Sequence, residues 1–314
     1  MNRTLAVDLG GAVFPTPVMI ASGCGGTGRE LSALVDLRRV GAVVSRSITI
    51  EPSDGSPTPR ISESPAGIVW DTGLQNPGLD AFISEELPQL ARGAPAIVSV
   101  AGGTLEDYVR STSGLQGHPD ASAIEVYLSG PDDELARPVL GHHVDRVAEI
   151  VGAVARMSLV PVFAKLPTGG DTVELARAAV RAGATGVTLM SSPPALGVGP
   201  PVRGRGHGRM TGWLSGPALR PLTLRAVFDV ARALPETPLI ASGGVRSADD
   251  ALEMLLVGAW AVQVGTAALV DPTAPVSIAG GIAAFLKAED LRSPGSLRGR
   301  RQVPPAVEKP EVRP

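Results

Sequence analysis

Short β-branched runs alternate with helical segments along the chain, and this alternation constrains the fold more than any other feature. The run 160–165 precedes a helical pattern in which Asp171 can cap the first turn and Gly183 ends the last. The run 238–241 precedes a second such pattern, capped by Ser247 and closed by Gly258. Strands that are joined by short helical crossovers form a parallel sheet, because each crossover returns the chain in the same direction.

Eight such runs predict an α/β fold in which the sheet closes on itself, a (β/α)8 TIM barrel. The predicted strands are 18–21, 42–47, 96–100, 122–128, 160–165, 186–190, 238–241 and 260–264. Two further segments, 49–78 and 193–217, follow strand ends and predict inserted loops at the C-terminal face of the barrel. For 193–209, which is rich in glycine and proline, a disordered insertion is the alternative. We expect one domain over 1–290 and a flexible C-terminal tail over 291–314.

Composition excludes several classes of protein. Hydrophobic residues make up 44% of the 314 residues and charged residues 19%, which is enough apolar material for a large core. The net charge of −3 disfavours nucleic acid and anionic membranes as partners, since both require a basic surface. Cys24 is the only cysteine, so no internal disulfide forms. No segment resembles a signal peptide or a membrane span, and the histidines lack metal-ligand spacing. These features predict a cytoplasmic protein without a metal.

Glycines follow the last two predicted strands. Gly243 and Gly244 come after 238–241, and Gly265 and Thr266 come after 260–264. Each turn leads into a helix, and the N–H groups at a helix N-terminus bind phosphate. The corresponding loops of α/β barrels commonly hold a phosphate, so a mononucleotide cofactor is predicted, with an ordinary tight turn as the alternative.

Lys165 ends the run 160–165 and is predicted to point into the barrel, where a charge requires a partner. We interpret that partner as the pyrimidine edge of a flavin ring, which becomes negative on reduction. A buried ion pair is the alternative, although the same strand contains no acidic residue. Arg46, at the end of 42–47, would supply a second positive charge.

Several motifs together resemble the FMN-dependent class 1 dihydroorotate dehydrogenases. They include "ASGCGG", "GLQNPGLD", "LSGPALRP", "ASGGV" and "VGTAAL", and the resemblance covers about residues 5 to 290. It implies an eight-stranded barrel, FMN as cofactor, an oxidoreductase acting on CH–CH groups and a homodimer. Some members of the family pass electrons to an iron–sulfur and FAD subunit and others to fumarate, so an electron-transfer partner is an open expectation.

The resemblance assigns the cofactor contacts residue by residue. Arg46 replaces a family lysine, and the remaining positions match the family or differ conservatively. The implied FMN-binding residues are Ala21, Ser22, Arg46, Ser47, Lys165, Gly216, Ser242, Gly243, Gly244, Gly265 and Thr266.

The substrate half departs from the family. Where the family has Asn-Ile-Ser-Cys-Pro-Asn, this chain has "YLSGPD", so the general-base cysteine becomes Gly130 and both asparagines are lost. Two further family asparagines fall on Trp70 and Ser191. A positioned base contributes about 10²–10⁴-fold to such a proton transfer, so its loss argues against dihydroorotate as the substrate. The implied substrate-binding residues are Trp70, Asn76, Tyr127, Ser191 and Ser192.

We therefore expect a different, conjugated or heterocyclic substrate, stacked on Trp70 and Tyr127, in a reaction of specialised biosynthesis. C=C reduction and CH–CH oxidation are both compatible with these residues. The predicted catalytic residues are Tyr127 as proton donor, Asp132 as the available carboxylate and Lys165 beside the flavin. Ser129 is expected to point away from the flavin, because alternate strand residues face opposite sides. Two alternatives stay open: a dihydroorotate dehydrogenase with a rearranged base, and a flavin-binding scaffold without turnover.

Overall fold

A closed barrel of eight parallel strands forms the centre of the computed structural model, which describes residues 4–129, 140–198 and 209–298. The strands of the described residues, numbered in chain order, are β1 Val7–Asp8, β2 Val13–Phe14, β3 Val18–Ile20, β4 Val43–Val44, β5 Ile61–Ser64, β6 Gly67–Trp70, β7 Ala96–Val100, β8 Ala121–Tyr127, β9 Val162–Lys165, β10 Gly186–Leu189, β11 Pro194–Val198, β12 Arg209–Ser215, β13 Leu239–Ser242 and β14 Ala261–Val264. Around the barrel the order is β3, β4, β7, β8, β9, β10, β13 and β14, and β14 pairs with β3 to close it. Each predicted barrel strand overlaps one of these, so the (β/α)8 fold is confirmed.

Helices connect the barrel strands. The α-helices of the described residues are α1 Arg29–Ser32, α2 Leu79–Ala81, α3 Leu87–Ala91, α4 Leu105–Gly114, α5 Val144–Met157, α6 Thr172–Arg181, α7 Arg220–Ala233, α8 Ala248–Val257, α9 Thr266–Val270 and α10 Ala274–Ala288. A π-helical turn, Phe82–Glu86, joins α2 to α3, and 3₁₀ turns cover Leu37–Arg39, Leu140–His142, Pro217–Leu219 and Pro294–Ser296.

The helix caps that the sequence predicts are present. The Asp171 carboxylate accepts hydrogen bonds from the backbone N–H groups of Val173 and Glu174, both at 3.1 Å. Ser247 and Asp250 cap each other's backbone at the start of α8. These local bonds fix where α6 and α8 begin, and therefore how the preceding turns approach the barrel end.

Apolar side chains fill the barrel itself. Met19, Val44, Phe163 and Ile240 are all fully buried in one interior cluster. Leu9 and Phe14 belong to the same cluster and come from the segment of the β1–β2 hairpin, so this hairpin contributes to the packing inside the barrel. A second, larger cluster lies between the outer faces of the strands and the helices.

The sequence predicted loops for the two insertions, 49–78 and 193–217, but both contribute strands to one sheet. Within the described residues they form four antiparallel strands in the order β11, β12, β6 and β5. β5 pairs with β6 inside the first insertion, and β11 pairs with β12 inside the second. Only the pairing of β6 with β12 joins segments that are far apart in the sequence. Residues 199–208 of the predicted disordered alternative lie outside the described residues.

The ordered fold extends past the predicted domain end at residue 290. Leu291 and Leu297 are buried, and the backbone N–H of Thr4 donates to the carbonyl oxygen of Arg292 at 3.1 Å. The guanidinium of Arg298 lies 3.5 Å from the ring centre of Trp260, a cation–π contact. The first part of the predicted tail therefore packs on the barrel, and residues 299–314 lie outside the described residues.

Among the helices of the described residues, none combines the length and the apolar character needed to span a membrane.

Phe163→Ala tests the packing of the barrel interior. Because Phe163 is fully buried, we expect the substitution to lower the free energy of unfolding by about 3–5 kcal/mol, measured by chemical denaturation. Leu159→Ala is the control: that side chain is 76% exposed, and its loss should change the free energy by less than about 0.5 kcal/mol. Equal effects of the two substitutions would contradict this account of the core.

Candidate active site

A cavity of about 610 Å³ lies between the C-terminal ends of the barrel strands and the antiparallel sheet. It is lined by every residue that the sequence analysis assigned to FMN: Ala21, Ser22, Arg46, Ser47, Lys165, Gly216, Ser242, Gly243, Gly244, Gly265 and Thr266. Four of the five residues assigned to the substrate line the same cavity: Trp70, Tyr127, Ser191 and Ser192. Residues that are distant in the sequence therefore meet at one site.

The turn after β13 leaves no space for side chains. Gly243 and Gly244 have φ angles of +123° and +80°, and a Cβ added to Gly244 would lie 2.3 Å from the backbone nitrogen of Arg220. Asp250 fixes the following turn, since its carboxylate accepts from the backbone N–H groups of Arg246 and Ser247, both at 3.1 Å. Only glycine fits this turn, as expected where backbone approaches a ligand closely.

More basic than acidic side chains line the cavity. Arg46, Lys165 and Arg246 line it, whereas Asp271 is the only carboxylate among its described lining residues. The turn after β14 adds Thr266, whose hydroxyl donates to Ser215 Oγ at 2.9 Å and so links α9 to β12. Two turns that each lead into a helix suit a phosphate, because the N–H groups at the start of a helix bind anions.

Lys165 has an acidic partner that the sequence analysis did not find. Its Nζ donates to Glu125 Oε1 at 3.1 Å and to Gln263 Oε1 at 3.3 Å. The strand of Lys165 contains no acidic residue, and the carboxylate comes instead from Glu125 on the neighbouring strand β8, with Gln263 from β14. The buried ion pair is therefore present, and Lys165 lines the cavity as well.

Arg46 is held at the cavity by two groups. Its Nη1 donates to the Gln75 carbonyl oxygen at 3.4 Å, and its Nε lies 3.8 Å from Glu86 Oε2. Partial burial raises the pKa of Glu86, and the nearby Arg46 guanidinium opposes that rise.

A buried tyrosine fixes the end of β8. The Tyr108 hydroxyl, from α4, donates to the carbonyl oxygen of Tyr127 at 2.7 Å. Burial raises the pKa of Tyr108, so it remains a neutral donor. Ser129 is buried and is not among the residues lining the cavity, in accord with its predicted orientation. Asp132, the predicted carboxylate, lies outside the described residues, and its role stays a prediction.

Asn76 does not line the cavity, contrary to its assigned substrate role. Its Nδ2 donates to Thr49 Oγ1 at 2.8 Å and to the Leu74 carbonyl oxygen at 2.7 Å. Its Oδ1 accepts from the backbone N–H of Gly78 at 2.9 Å. The amide is thus occupied in shaping the inserted segment, a use that the motif alone did not indicate.

One row of the antiparallel sheet presents apolar side chains to the cavity. Ile61 pairs with Trp70, and Trp70 pairs with Trp213, so the three residues lie side by side on one face. All three line the cavity, as does Ile68 two residues before Trp70. We call Trp70 and Trp213, together with the aliphatic Ile61 beside them, the aromatic row. Trp213 was missed in the sequence, because only the strand pairing places it next to Trp70.

Two small side chains complete the site. Ser191 is 5% exposed, and its Oγ has no hydrogen-bond partner among the described residues. Cys24 lines the cavity, and burial raises the pKa of its thiol to about 11 despite the opposing charge of Lys165. The thiol is therefore neutral at physiological pH. The described residues contain no group of three or more ligating side chains that could hold a metal ion.

Comparison with known proteins identifies the family. The family model described as "Dihydroorotate dehydrogenase" matches residues 4–286. The chain belongs to the dihydroorotate dehydrogenase family. It is 40% identical over 301 residues to a dihydroorotate dehydrogenase B (NAD(+)) catalytic subunit of Geotalea daltonii, covering 95% of this chain and 98% of that one. A protein of the same name from Geobacillus kaustophilus is 41% identical over 278 residues, covering 87% of each chain.

As a member of this dihydroorotate dehydrogenase family, the chain is an FMN-dependent oxidoreductase that acts on CH–CH groups. The open alternative of a scaffold without turnover is set aside. The residues that line the cavity fit FMN: the glycine turns suit the phosphate, and the N–H donors of Lys165 and Arg46 suit hydrogen bonds to the pyrimidine edge of the ring.

Gly244→Ala tests the phosphate turn. The added Cβ would meet the Arg220 backbone at a positive φ, so we expect FMN to bind at least about tenfold more weakly, measured by titration of the apoprotein. Gly280→Ala, in α10, is the matched control, because a Cβ there meets nothing within 4 Å. Unchanged FMN affinity in a folded Gly244→Ala protein would remove this turn from the cofactor site.

Proposed function

We propose that the protein oxidises dihydroorotate to orotate, with a base other than cysteine. The observation that carries this proposal is the near full-length similarity to catalytic subunits named for that reaction. This similarity favours the rearranged-base alternative over the different substrate that we expected from the sequence. The predicted FMN positions line one cavity, which provides the hydride acceptor that this reaction requires.

Oxidation of a CH–CH bond requires an acceptor for the hydride and a base for the carbon-bound proton. Bound FMN supplies the hydride acceptor, and the chain supplies the base. Because Gly130 has no side chain, we assign the base to Asp132, the carboxylate two residues further on. The phenol group of tyrosine, with a reference pKa of about 10 in model peptides, is a better proton donor than acceptor at neutral pH. Tyr127, which lines the cavity, therefore orients the substrate in this direction of reaction.

A second candidate is a larger planar substrate, conjugated or heterocyclic, whose C=C bond is reduced. The aromatic row favours it, since two indole rings side by side form a surface for stacking rather than for pairing with a small polar ring. Tyr127 would then donate the proton. In this direction the chain needs no carboxylate base.

The electron route beyond FMN is part of the proposal. The relatives are named catalytic subunits of NAD(+) enzymes, so we propose that a separate electron-transfer partner connects this chain to NAD(+). The family resemblance further supports a homodimer. Co-purification with the product of a neighbouring gene tests the electron-transfer partner. Sedimentation of the isolated chain tests the homodimer.

Anaerobic mixing decides between the two substrates. If dihydroorotate is the substrate, adding it to the FMN-loaded protein bleaches the absorbance of the oxidised flavin within one turnover. If the absorbance persists while chemically reduced protein is reoxidised by a planar enone, the second candidate replaces the first. The recorded quantity is the flavin spectrum, so no electron-transfer partner is needed.

Trp213→Leu measures how far the aromatic row selects the substrate. Loss of one stacking ring should raise KM for a planar substrate about tenfold and leave KM for dihydroorotate nearly unchanged. Trp213→Phe keeps a ring and should keep most of the affinity. Trp260→Phe is the control, since Trp260 packs against Arg298 and does not line the cavity. An equal rise in both KM values would instead indicate a distorted cavity.

A further inference from the structure

Glu125 is a buried carboxylate that the proposed reaction does not use. Its side chain is fully screened from solvent in the barrel interior. Oε1 accepts from Lys165 Nζ at 3.1 Å, and Oε2 accepts from Thr188 Oγ1 at 3.0 Å and from Gln263 Nε2 at 2.6 Å. Three donors compensate the carboxylate, as burial of a charge requires.

The same bonds form a closed ring with Lys165. Gln263 donates to Glu125 through Nε2 and accepts from Lys165 through Oε1 at 3.3 Å. An ammonium group has three N–H donors, and this ring uses two of them within the barrel. One donor of Lys165 remains for whatever the cavity binds. The ring therefore fixes both the position and the direction of the ammonium.

The ring also reduces the electric field that Lys165 exerts on the cavity. A carboxylate 3.1 Å from Lys165 cancels most of the field that the ammonium would otherwise exert in this water-excluded site. The flavin ring gains negative charge near N1 on reduction, and a bare cation beside it would stabilise that charge. A neutral pair stabilises it much less, and so holds the reduction potential lower.

We propose that Glu125 is a positioning residue that sets the reduction potential of bound FMN by orienting Lys165 and neutralising its charge. The proposal depends on FMN in this cavity and not on which substrate is oxidised. A lower potential favours onward transfer of electrons from the flavin, which is what a chain with an electron-transfer partner requires.

Potentiometry on the FMN-loaded full chain, without substrate, tests this. Glu125→Gln keeps the shape and removes the charge, so we expect the midpoint potential, titrated anaerobically against a reference dye, to become more positive. Sulfite adds more readily to a flavin when a positive charge lies near the flavin ring. It should therefore bind more tightly to the Glu125→Gln protein than to the unmodified protein. Thr188→Val is the matched control, because it removes one hydrogen bond to the same carboxylate and leaves both charges in place.

Substitution of Lys165 shows whether a shift in the midpoint potential comes from charge or from altered packing. Lys165→Gln leaves the carboxylate alone and should shift the potential to more negative values, while the double variant Glu125→Gln, Lys165→Gln should return it toward that of the unmodified protein. These two variants also test the proposal if Glu125→Gln alone does not fold. Equal potentials in all variants, or equal shifts for Glu125→Gln and Thr188→Val, would overturn it. Failure of dihydroorotate to reduce the flavin would leave it standing.

Discussion

A fully buried carboxylate is the constraint around which the cavity end of the barrel is arranged. Glu125 on β8 is bonded by side chains from β9, β10 and β14, so four of the barrel strands meet at one charge. Removing an ion from water is costly unless every lone pair finds a donor. These strand ends must therefore lie in one register, and that register places Lys165 at the cavity. The chemistry of the site and the closure of the barrel depend on the same contacts.

The fold was largely predictable, because its signals are local. The overlap of predicted and observed strands follows from apolar runs, and the caps at Asp171 and Ser247 follow from short-range bonding patterns. The antiparallel sheet was not predictable in the same way. Each insertion is rich in glycine and proline and forms its own hairpin. The pairing of β6 with β12, which joins the two hairpins, forms only where the barrel brings both insertions to one end.

The cofactor half of the site was easier to locate than the substrate half. The glycine turns and the lysine at a strand end can be recognised from the local sequence alone, and all of them line the cavity. Glu125, Tyr108 and Trp213 act through neighbours on other strands or helices, so nothing near them in the sequence indicated their contacts. The substrate role assigned to Asn76 has no support in the cavity, for the opposite reason. Asn76 lies within a motif that suggested a ligand contact, whereas its amide is bound by its own segment.

The position of the aromatic row bears on how such an enzyme changes its substrate in evolution. The row lies on a sheet outside the barrel, and alternate residues of each strand face the cavity while the others face away. Substitutions at Ile61, Trp70 or Trp213 therefore alter the ligand surface without entering the barrel core or the ring at Glu125. During evolution, substitutions in these strands can change which substrate binds, while the residues that bind the flavin and those that stabilise the fold stay the same.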